Sequence, residues 1–450
     1  MKVHLIAIGG SAMHNMAIAL HKKGYQVTGS DDEVFEPSKG RLNKHGLLPD
    51  KMGWDESRVT NDIDCIILGM HARKDNPELL KAQKLNLKIY SYPEYIFEQT
   101  KDKKRVVIGG SHGKTSMTAM TLHVLNDCGL DVDYMVGAQL AGFDVMVKLS
   151  HDADIVILEG DEYLSSPIDL RPKFHLYSPH IAVISGISWD HINVFPTFDN
   201  YIKQFEIFAN IVEPNGTLIY FDGDVEVAKI GKDFKYNQIP YNVHPNKCVD
   251  GITFLQDDGN EYPLEIFGDH NLQNLNASLE ICLSLGLTKD QFYKSIQTFK
   301  GASKRLELID ENSSCSIFKD FAHSPSKLKA TSSAVKKQFT NRKLIACMEL
   351  HTFSSLNEEF LSEYANTMDL PDEAFVYFNP ETIAHKKLKK ISKEQVFNCF
   401  KRSDLRVFTS SDEFVKELKS RSWKNSNLLL MSSGNFDGVD FNELVKELLD

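Results

Sequence analysis

The segment over residues 105–116, Arg-Val-Val-Ile-Gly-Gly-Ser-His-Gly-Lys-Thr-Ser, places a short apolar run directly before a glycine-rich turn. A helix-forming stretch follows over residues 117–127 and ends before Gly129. Backbone N–H groups of such a turn point at anionic oxygens, and the dipole of the following helix adds positive potential. In this shortened Gly-x-x-Gly-Lys-Thr pattern, Lys114 would reach the terminal phosphates of a nucleotide and the Thr115 hydroxyl would bind magnesium. The segment therefore predicts a strand, a phosphate-binding loop and a helix, in preference to a plain structural turn.

The composition is typical of a soluble globular protein with several domains. A chain of 450 residues has room for two to four domains. No window approaches the roughly 18 apolar residues that span a bilayer, and the first residues run directly into a predicted strand, so we expect neither a transmembrane helix nor a signal peptide. The 7 cysteines are scattered and form no Cys-x-x-Cys pair, which indicates reduced thiols in a cytoplasmic protein.

The formal net charge is −11, which argues against nonspecific binding to nucleic acid. An anionic substrate would instead bind through local donors such as loops, helix ends and single cationic side chains. We therefore expect small-molecule substrates as partners, with no nucleic acid and no membrane insertion, for a monomer or homodimer.

Apolar strands alternate with helical periods along the chain, which predicts an α/β fold with three domains in series and parallel sheets. The predicted domains are residues 1–99, 100–300 and 301–450. Predicted strands are residues 3–8, 25–30, 65–68, 88–91, 155–158, 181–184, 316–318, 343–348, 374–377, 405–408 and 427–431. A helix is predicted over residues 12–23, short hairpin strands over 216–267, and a further helix over 271–287.

The first predicted strand ends in a second glycine turn, formed by Gly9, Gly10, Ser11, Ala12 and Met13. Asp31 ends the next strand about 20 residues later, as a ribose-binding carboxylate does in dinucleotide-binding folds. The Gly-x-Gly-x-x-Gly pattern is broken, however, because alanine stands at position 12. The turn is compatible with a nucleotide or nucleotide-sugar site, with a structural turn and with an NAD site.

Polar residues follow two further apolar strands. Glu159 comes directly after residues 155–158, and His191 follows residues 181–184. Ligands of doubly wound sheets bind beyond the carboxyl ends of the strands, where the loop with Lys114 also lies. Glu159 could hold a magnesium ion that bridges phosphates, the alternative being a solvated acidic loop. Lys114, Glu159 and His191 would follow three strands whose ends meet at one edge of the sheet. This convergence favours a metal or phosphate role for His191 over a structural one.

Two polar groups occur later in the chain. Asn271 and Asn274 share one helix face, where they could cap the helix, which is the simpler use, or read the edge of an adenine. Arg305 precedes a strand and could reach the γ-phosphate as a bidentate donor. Asp320 and His323, in an Asp-x-x-His-x-Pro turn, could contact nucleotide, metal or an incoming amine.

Taken together and in this order, these patterns resemble the Mur ligase family, the ATP-dependent enzymes that build the peptide stem of peptidoglycan. The resemblance covers the whole chain. It implies a Rossmann-like N-terminal domain for a UDP-sugar, a P-loop ATP-binding central domain and a Rossmann-like C-terminal domain for the acceptor. The glycine turn, with His4 in the strand before it, resembles the members that bind UDP-N-acetylmuramate. ATP and Mg²⁺ are the implied cofactors.

The resemblance also implies roles for individual residues. ATP would contact Gly110, Ser111, His112, Gly113, Lys114, Thr115, His270, Asn271, Asn274, Arg305 and Asp320. Magnesium would be held by Thr115, Glu159 and His191. The catalytic set would be Lys114, Glu159, His191, Arg305, Asp320 and His323, with His323 or Asp320 as the base that deprotonates the amine. The other substrates would contact Gly9, Gly10, Ser11, Ala12, Met13, Asp31, Asn76 and His351.

The implied reaction joins the carboxylate of UDP-N-acetylmuramate to an amine through an acyl phosphate. Residues 161–163, 173–175, 177–179, 304–308, 320–323 and 431–434 most resemble the branch that adds the tripeptide L-alanyl-γ-D-glutamyl-meso-diaminopimelate during peptidoglycan recycling. The alternatives are L-alanine addition during synthesis and a non-catalytic sensor of UDP-muramate. The chain departs from both ligase branches at residues 349–354, which replace an arginine-bearing acceptor motif. It also departs at Ala7, Ala12 and Asn15, where these relatives commonly carry glycine.

Overall fold

The computed structural model describes residues 1–140, 142–190, 194–249, 251–301 and 305–449. The chain divides into two compact units. The first comprises Met1–Asn242 and Asn274–Ser295, and the second comprises Val243–Gln273 and Ile296–Asp450. In the described part of the chain, no helix is long and apolar enough to cross a membrane.

The first unit begins with a four-stranded parallel sheet in the order β2-β1-β3-β4. Its strands are β1 (Lys2–Ile6), β2 (Gln26–Ser30), β3 (Cys65–Leu68) and β4 (Lys88–Ser91), and the helices between and after them are α1 (Ser11–Lys22), α2 (Ser38–Lys44), α3 (Pro77–Lys84) and α4 (Tyr92–Thr100). Val3 and Leu5 pack into one apolar cluster and Ile6 into another, so strand β1 is covered on both faces. Because β1 lies between β2 and β3, the glycine turn that follows it lies at a switch in strand order.

A seven-stranded sheet completes the first unit, in the order β11-β10-β9-β5-β8-β6-β7. Its strands are β5 (Lys104–Gly109), β6 (Asp133–Met135), β7 (Val147–Lys148), β8 (Ile155–Glu159), β9 (Ile181–Ile184), β10 (Thr217–Phe221) and β11 (Asn237–Tyr241). The helices are α5 (Lys114–Asp127), α6 (Phe198–Asn210) and α7 (Val225–Asp233). All neighbouring strands are parallel except β6 and β7. Later strands extend the sheet on both sides of β5, so the loop after β5 also lies at a switch point.

The second unit contains two sheets. An antiparallel meander consists of β12 (Asn246–Val249), β13 (Ile252–Asp257) and β14 (Asn260–Leu264). The helices α8 (Asp269–Ser284) and α9 (Lys289–Ile296) follow in the chain. The larger sheet has the order β15-β16-β20-β17-β18-β19, and only its edge strand β15 is antiparallel.

Strands of the larger sheet are β15 (Glu307–Glu311), β16 (Ser316–Asp320), β17 (Lys343–Glu349), β18 (Glu373–Tyr377), β19 (Arg406–Phe408) and β20 (Ser426–Met431). The helices around it are α10 (Pro325–Gln338), α11 (Pro380–His385), α12 (Lys393–Phe400), α13 (Ser411–Lys419) and α14 (Phe441–Leu449). Apolar clusters lie on both faces of this sheet, as the buried strand pattern predicts.

Two sequence-based expectations were wrong in detail. Residues 216–267 are not hairpins throughout, because β10, α7 and β11 form a parallel βαβ unit and only the segment after it is a meander. Asp224 is the N-cap of α7, where its carboxylate accepts the Glu226 and Val227 N–H groups at 3.0 and 3.1 Å. The first strand ends two residues early, since Ala7 has a φ of +69° and begins the turn.

Candidate active site

The phosphate loop between β5 and α5 has two glycines in the left-handed backbone region. Gly110 has a φ of +124° and Gly113 a φ of +77°. A Cβ atom at Gly110 would lie 2.1 Å from Ser185 Oγ, so the loop packs too closely for a side chain there. The Ser111 N–H donates to the Gly186 carbonyl at 3.0 Å and holds the loop against the end of β9.

Parallel register places three strand ends at this loop. Ile108 in β5 lies opposite Glu159 in β8, and Gly109 lies opposite Ile184 in β9. The Thr115 hydroxyl at the start of α5 donates to Glu159 Oε1 at 3.0 Å. The structure thus brings together Thr115 and Glu159. His191, the third residue expected here, lies outside the described residues.

Lys114 is partly buried, with 15% of its side chain exposed, and has two hydrogen-bond partners. Its Nζ donates to the Gly110 carbonyl at 2.6 Å and to Glu162 Oε2 at 2.7 Å. Burial lowers the pKa of Lys114, but the charges of Glu162 and Asp161 outweigh burial, so its pKa is raised overall. The lysine therefore carries its charge in this state and shares it with a carboxylate.

Glu159 offers the oxygens of a candidate magnesium site. Its Oε2 accepts the Gly137 N–H at 2.9 Å, and Thr115 holds Oε1. Burial raises the pKa of Glu159, against the opposing effects of the Gly137 hydrogen bond and of Lys114. A hydroxyl and a carboxylate are the hard donors that Mg²⁺ prefers, so these two residues fit the ion. No group of three or more His, Cys, Asp or Glu side chains among the described residues could hold a metal.

A series of hydrogen-bonded polar side chains lies beside the phosphate loop and was not predicted from the sequence. The Tyr201 hydroxyl in α6 donates to Glu162 Oε1 at 3.1 Å and lies 2.9 Å from Ser111 Oγ. Ser111 Oγ in turn accepts the Ser188 N–H at 2.8 Å. The acidic stretch after β8 pointed to the region of Glu162, whereas no local signal pointed to Tyr201.

The polar residues at the start of α8 differ in their surroundings. In the first unit, Asn274 packs against the phosphate loop, because a Cβ at Gly113 would lie 2.0 Å from its Oδ1.

In the second unit, Asn271 Nδ2 donates to the Phe267 carbonyl at 2.9 Å, so it does not act as the accepting N-cap that we expected. His270 is partly buried there, and its buried Nδ1 atom has no hydrogen-bond partner among the described residues. Burial lowers the pKa of His270 despite nearby Asp320 and Asp269.

The N-terminal glycine turn is held by Asp31. The Gly9 N–H donates to Asp31 Oδ2 at 2.7 Å. Burial and the neighbouring Asp32 raise the pKa of Asp31 to about 6. Gly10 precedes α1, whose first turn has no acidic residue and no side-chain cap, so its N–H groups remain suited to an anion. Within the predicted contact set, Ser11 and Ala12 are exposed and Met13 is buried.

Asn76, expected near the sugar, is the N-cap of α3. Its Oδ1 accepts the Glu78 and Leu79 N–H groups at 2.9 and 3.1 Å, and the residue is 4% exposed. The oxygen of this side chain therefore already has partners, and a sugar contact stays a prediction.

Arg305, Asp320 and His323 come together at the end of β16 in the second unit. Asp320 Oδ2 accepts the Leu306 N–H at 2.6 Å, so the carboxylate holds the segment that carries Arg305. The Arg305 guanidinium lies 4.9 Å from the centre of the Phe321 ring. His323 Nδ1 donates to the Phe321 carbonyl at 2.9 Å.

His351 lies at the end of β17 beside a buried carboxylate. Glu349 Oε2 accepts the Phe436 N–H at 2.9 Å and the Ser432 hydroxyl. His351 Nδ1 is 3.5 Å from Glu349 Oε1, and the imidazole is 38% exposed. A carboxylate–imidazole pair thus occupies the segment from which the acceptor arginine is missing.

Two family models match the chain on either side of residue 105. The model described as "Mur ligase family, catalytic domain" matches residues 2–104, and that described as "Mur ligase middle domain" matches residues 108–282. A UDP-N-acetylmuramate–L-alanine ligase of Sulfurihydrogenibium sp. is 31% identical over 384 residues, covering 83% of this chain and 82% of its own. The chain belongs to the Mur ligase family.

Two solved structures share the fold of this Mur ligase. The UDP-N-acetylmuramate–alanine ligase of Thermotoga maritima has a TM-score of 0.70 at 20% identity, covering 100% of this chain and 98% of its own. A murein peptide ligase of Psychrobacter arcticus has a TM-score of 0.64 at 20% identity, covering 100% of this chain and 99% of its own. The predicted three-domain α/β fold is confirmed, as is an ATP-dependent amide-bond-forming ligase. The predicted domain boundaries and residue roles stay predictions.

Proposed function

We propose that this Mur ligase joins the lactoyl carboxylate of UDP-N-acetylmuramate to the amine of L-alanine, with hydrolysis of ATP to ADP and phosphate. The observation that carries the nucleotide part is the position of the glycine loop, with Lys114 and Thr115, at the switch point beside Glu159. The acceptor is supported by the sequence relatives, which bear the name UDP-N-acetylmuramate–L-alanine ligase at 26–31% identity. This choice reverses our first expectation of a tripeptide.

The proposed chemistry has two steps. A carboxylate oxygen of the muramate attacks the γ-phosphorus of ATP, which forms an acyl phosphate and releases ADP. The amine then attacks the acyl carbon, loses a proton, and expels phosphate from the tetrahedral intermediate. Positioning and charge neutralisation should supply most of the acceleration of the first step, and Lys114 is the partly buried cation for that task.

Magnesium fits this scheme at Thr115 and Glu159, where it would neutralise charge on the phosphates. The chain's own contribution is to fix both oxygens beforehand, through the Thr115–Glu159 hydrogen bond and the Gly137 N–H. His191 and Arg305 keep the roles that the family resemblance implies. As the base for the amine we favour His323 over Asp320, because both oxygens of Asp320 already accept backbone N–H groups.

The tripeptide L-alanyl-γ-D-glutamyl-meso-diaminopimelate is the second candidate acceptor. The pair of Glu349 and the half-exposed His351 favours it, since a buried carboxylate lies behind the imidazole at the end of β17, in place of an arginine. The tripeptide brings an ammonium group besides the reacting amine, whereas L-alanine does not. A carboxylate near the acceptor suits that additional charge.

The decisive experiment measures phosphate release from ATP with magnesium and UDP-N-acetylmuramate, comparing L-alanine with the tripeptide. Turnover with L-alanine alone supports the proposal, and turnover with the tripeptide alone assigns the recycling reaction. Mass spectrometry of the product verifies the new amide bond. Absence of turnover with both acceptors would overturn both assignments.

A further inference from the structure

Two side chains, Glu162 and Tyr201, connect the lysine of the phosphate loop to the serine of the same loop. Lys114 donates to Glu162 Oε2 at 2.7 Å, and the Tyr201 hydroxyl donates to Glu162 Oε1 at 3.1 Å. Tyr201 is hydrogen-bonded to Ser111 Oγ at 2.9 Å. Glu162 is 2% exposed, Tyr201 0% and Ser111 7%. The Glu162, Tyr201 and Ser111 side chains are therefore shielded from water, whereas 15% of the Lys114 side chain is exposed.

The Lys114 ammonium is needed by two anions. It has three protons, of which Glu162 and the Gly110 carbonyl already take two. A terminal phosphate bound in the loop requires the same ammonium. Buried charges need a partner, so Glu162 provides one for Lys114 when no phosphate is present. One proton remains, whereas a lysine that reaches both the β- and γ-phosphates needs two, so bound phosphates compete with Glu162 for the ammonium.

Glu162 retains a donor if the lysine moves away from it. The Tyr201 hydroxyl contacts the other carboxylate oxygen, and Ser111, itself fixed by the Ser188 N–H, orients that hydroxyl. A carboxylate without any donor would be costly to leave in this buried place. Glu162 therefore has a hydrogen-bond donor both when Lys114 pairs with it and when Lys114 binds a phosphate.

We propose that Glu162 is the resting counter-ion of Lys114, that the terminal phosphates of ATP displace it, and that Tyr201 holds the released carboxylate. Glu162 and Tyr201 are then positioning residues that set the affinity for ATP. This inference rests on the proposed nucleotide site at the loop. It predicts opposite effects for two substitutions in direct contact, which a merely structural cluster would not produce.

The test is calorimetric titration with ATP and magnesium, without the UDP-sugar, of the wild type, Glu162→Gln, Lys114→Met and the double variant. Glu162→Gln should bind ATP between about 10-fold and 150-fold more tightly, the range of one charge-assisted hydrogen bond. In the Lys114→Met variant, adding Glu162→Gln should alter the Kd for ATP by less than about twofold, since no ammonium remains for which the carboxylate and the phosphates could compete. Equal tightening in both backgrounds would indicate plain repulsion of phosphate and would overturn the proposal.

Tyr201→Phe should bind ATP more weakly than the wild type, because the released carboxylate loses the hydrogen bond from the Tyr201 hydroxyl. Tighter binding by this variant would contradict the proposal. Glu206→Gln is the matched charge control, since Glu206 lies partly exposed on α6, paired with Lys203 at 2.6 Å. Its Kd should stay within about twofold of the wild-type value. Thermal unfolding of each variant verifies that it is folded.

The wild-type titration distinguishes a failure of the proposed nucleotide site from a failure of the proposed role of Glu162. Absence of ATP binding by the wild type would overturn the nucleotide site together with the role of Glu162. ATP binding by the wild type that is unchanged in Glu162→Gln would overturn only the role of Glu162.

Discussion

The side-chain oxygen of Asn274 occupies the space that a side chain at position 113 would need. A Cβ on Gly113 would lie 2.0 Å from Asn274 Oδ1. Gly113 also has a φ of +77°, a conformation that costs an L-residue roughly 1–2 kcal/mol. Two independent constraints therefore require glycine at the residue where the phosphate loop enters α5.

Gly113→Ala should weaken ATP binding at least about 10-fold, because the loop must shift away from Asn274 and relax its backbone. Titration calorimetry measures the change. Adding Asn274→Ala should recover part of the affinity, since it removes the steric constraint and leaves the conformational one. Gly129→Ala is the control: its φ is +76° but a Cβ there meets nothing within 4 Å. If Gly129→Ala reduced ATP binding as much as Gly113→Ala, close packing against Asn274 would not be the cause.

Lys114→Ala should reduce phosphate release by at least about 100-fold, the scale of removing one preorganised charge from a phosphoryl-transfer site. The variant removes the ammonium that pairs with the buried Glu162 carboxylate, so it should also unfold at a lower temperature. Adding Glu162→Gln should restore the unfolding temperature but not the activity. Near-normal turnover in Lys114→Ala would contradict the assignment of this loop to ATP.

Local sequence predicted the parts of the site that are consecutive in the chain. The order of apolar run, glycine turn and helix defined the loop before α5, and the apolar run before Glu159 defined the end of β8. Parallel pairing then brings those ends together, because β8 and β9 both neighbour β5. The rule that ligands bind at the carboxyl ends of parallel strands is sufficient to predict that these segments form one site.

Contacts between distant segments could not be predicted in this way. Glu162 and Tyr201 are 39 residues apart, and no spacing rule links an acidic loop to a tyrosine in the first turn of α6. The βαβ unit within residues 216–267 was missed for a different reason. Asp222, Gly223 and Asp224 are typical turn residues, yet they precede a helix that begins with an exposed valine, Val225. Composition alone does not distinguish an N-cap from a hairpin turn.

Asn15, where the UDP-muramate-binding relatives commonly carry glycine, has a structural use in this chain. Its Oδ1 accepts the Met146 N–H at 2.9 Å, and its Nδ2 donates to the Ser11 carbonyl at 2.8 Å. Asn15→Ala should reduce the unfolding free energy by about 1–3 kcal/mol, because it leaves the buried Met146 N–H without a partner. Thermal and urea unfolding measure this effect. Asn43→Ala, an exposed change on α2, should be nearly neutral, and equal losses in both variants would contradict the role of Asn15.

The raised pKa of Asp31 predicts how stability depends on pH. Its pKa is about 6 in the folded chain against an ordinary value of 3.8, since burial and Asp32 disfavour the charged form. Between pH 4 and 6 the unfolded chain has lost this proton while the folded chain retains it, so the contribution of Asp31 to stability falls as pH rises through that window. The total loss is at most about 3 kcal/mol.

Asp31→Asn keeps a neutral group of similar shape and removes the titration. The unfolding midpoint of the wild type should therefore fall relative to that of Asp31→Asn from pH 4 to pH 6, and the difference should level off above pH 6. Asp32→Asn, which removes the exposed neighbouring charge, should shift the window to lower pH, because Asp32 raises the pKa of Asp31. Midpoints of the wild type and Asp31→Asn that run parallel across this range would show that Asp31 ionises at its ordinary pH.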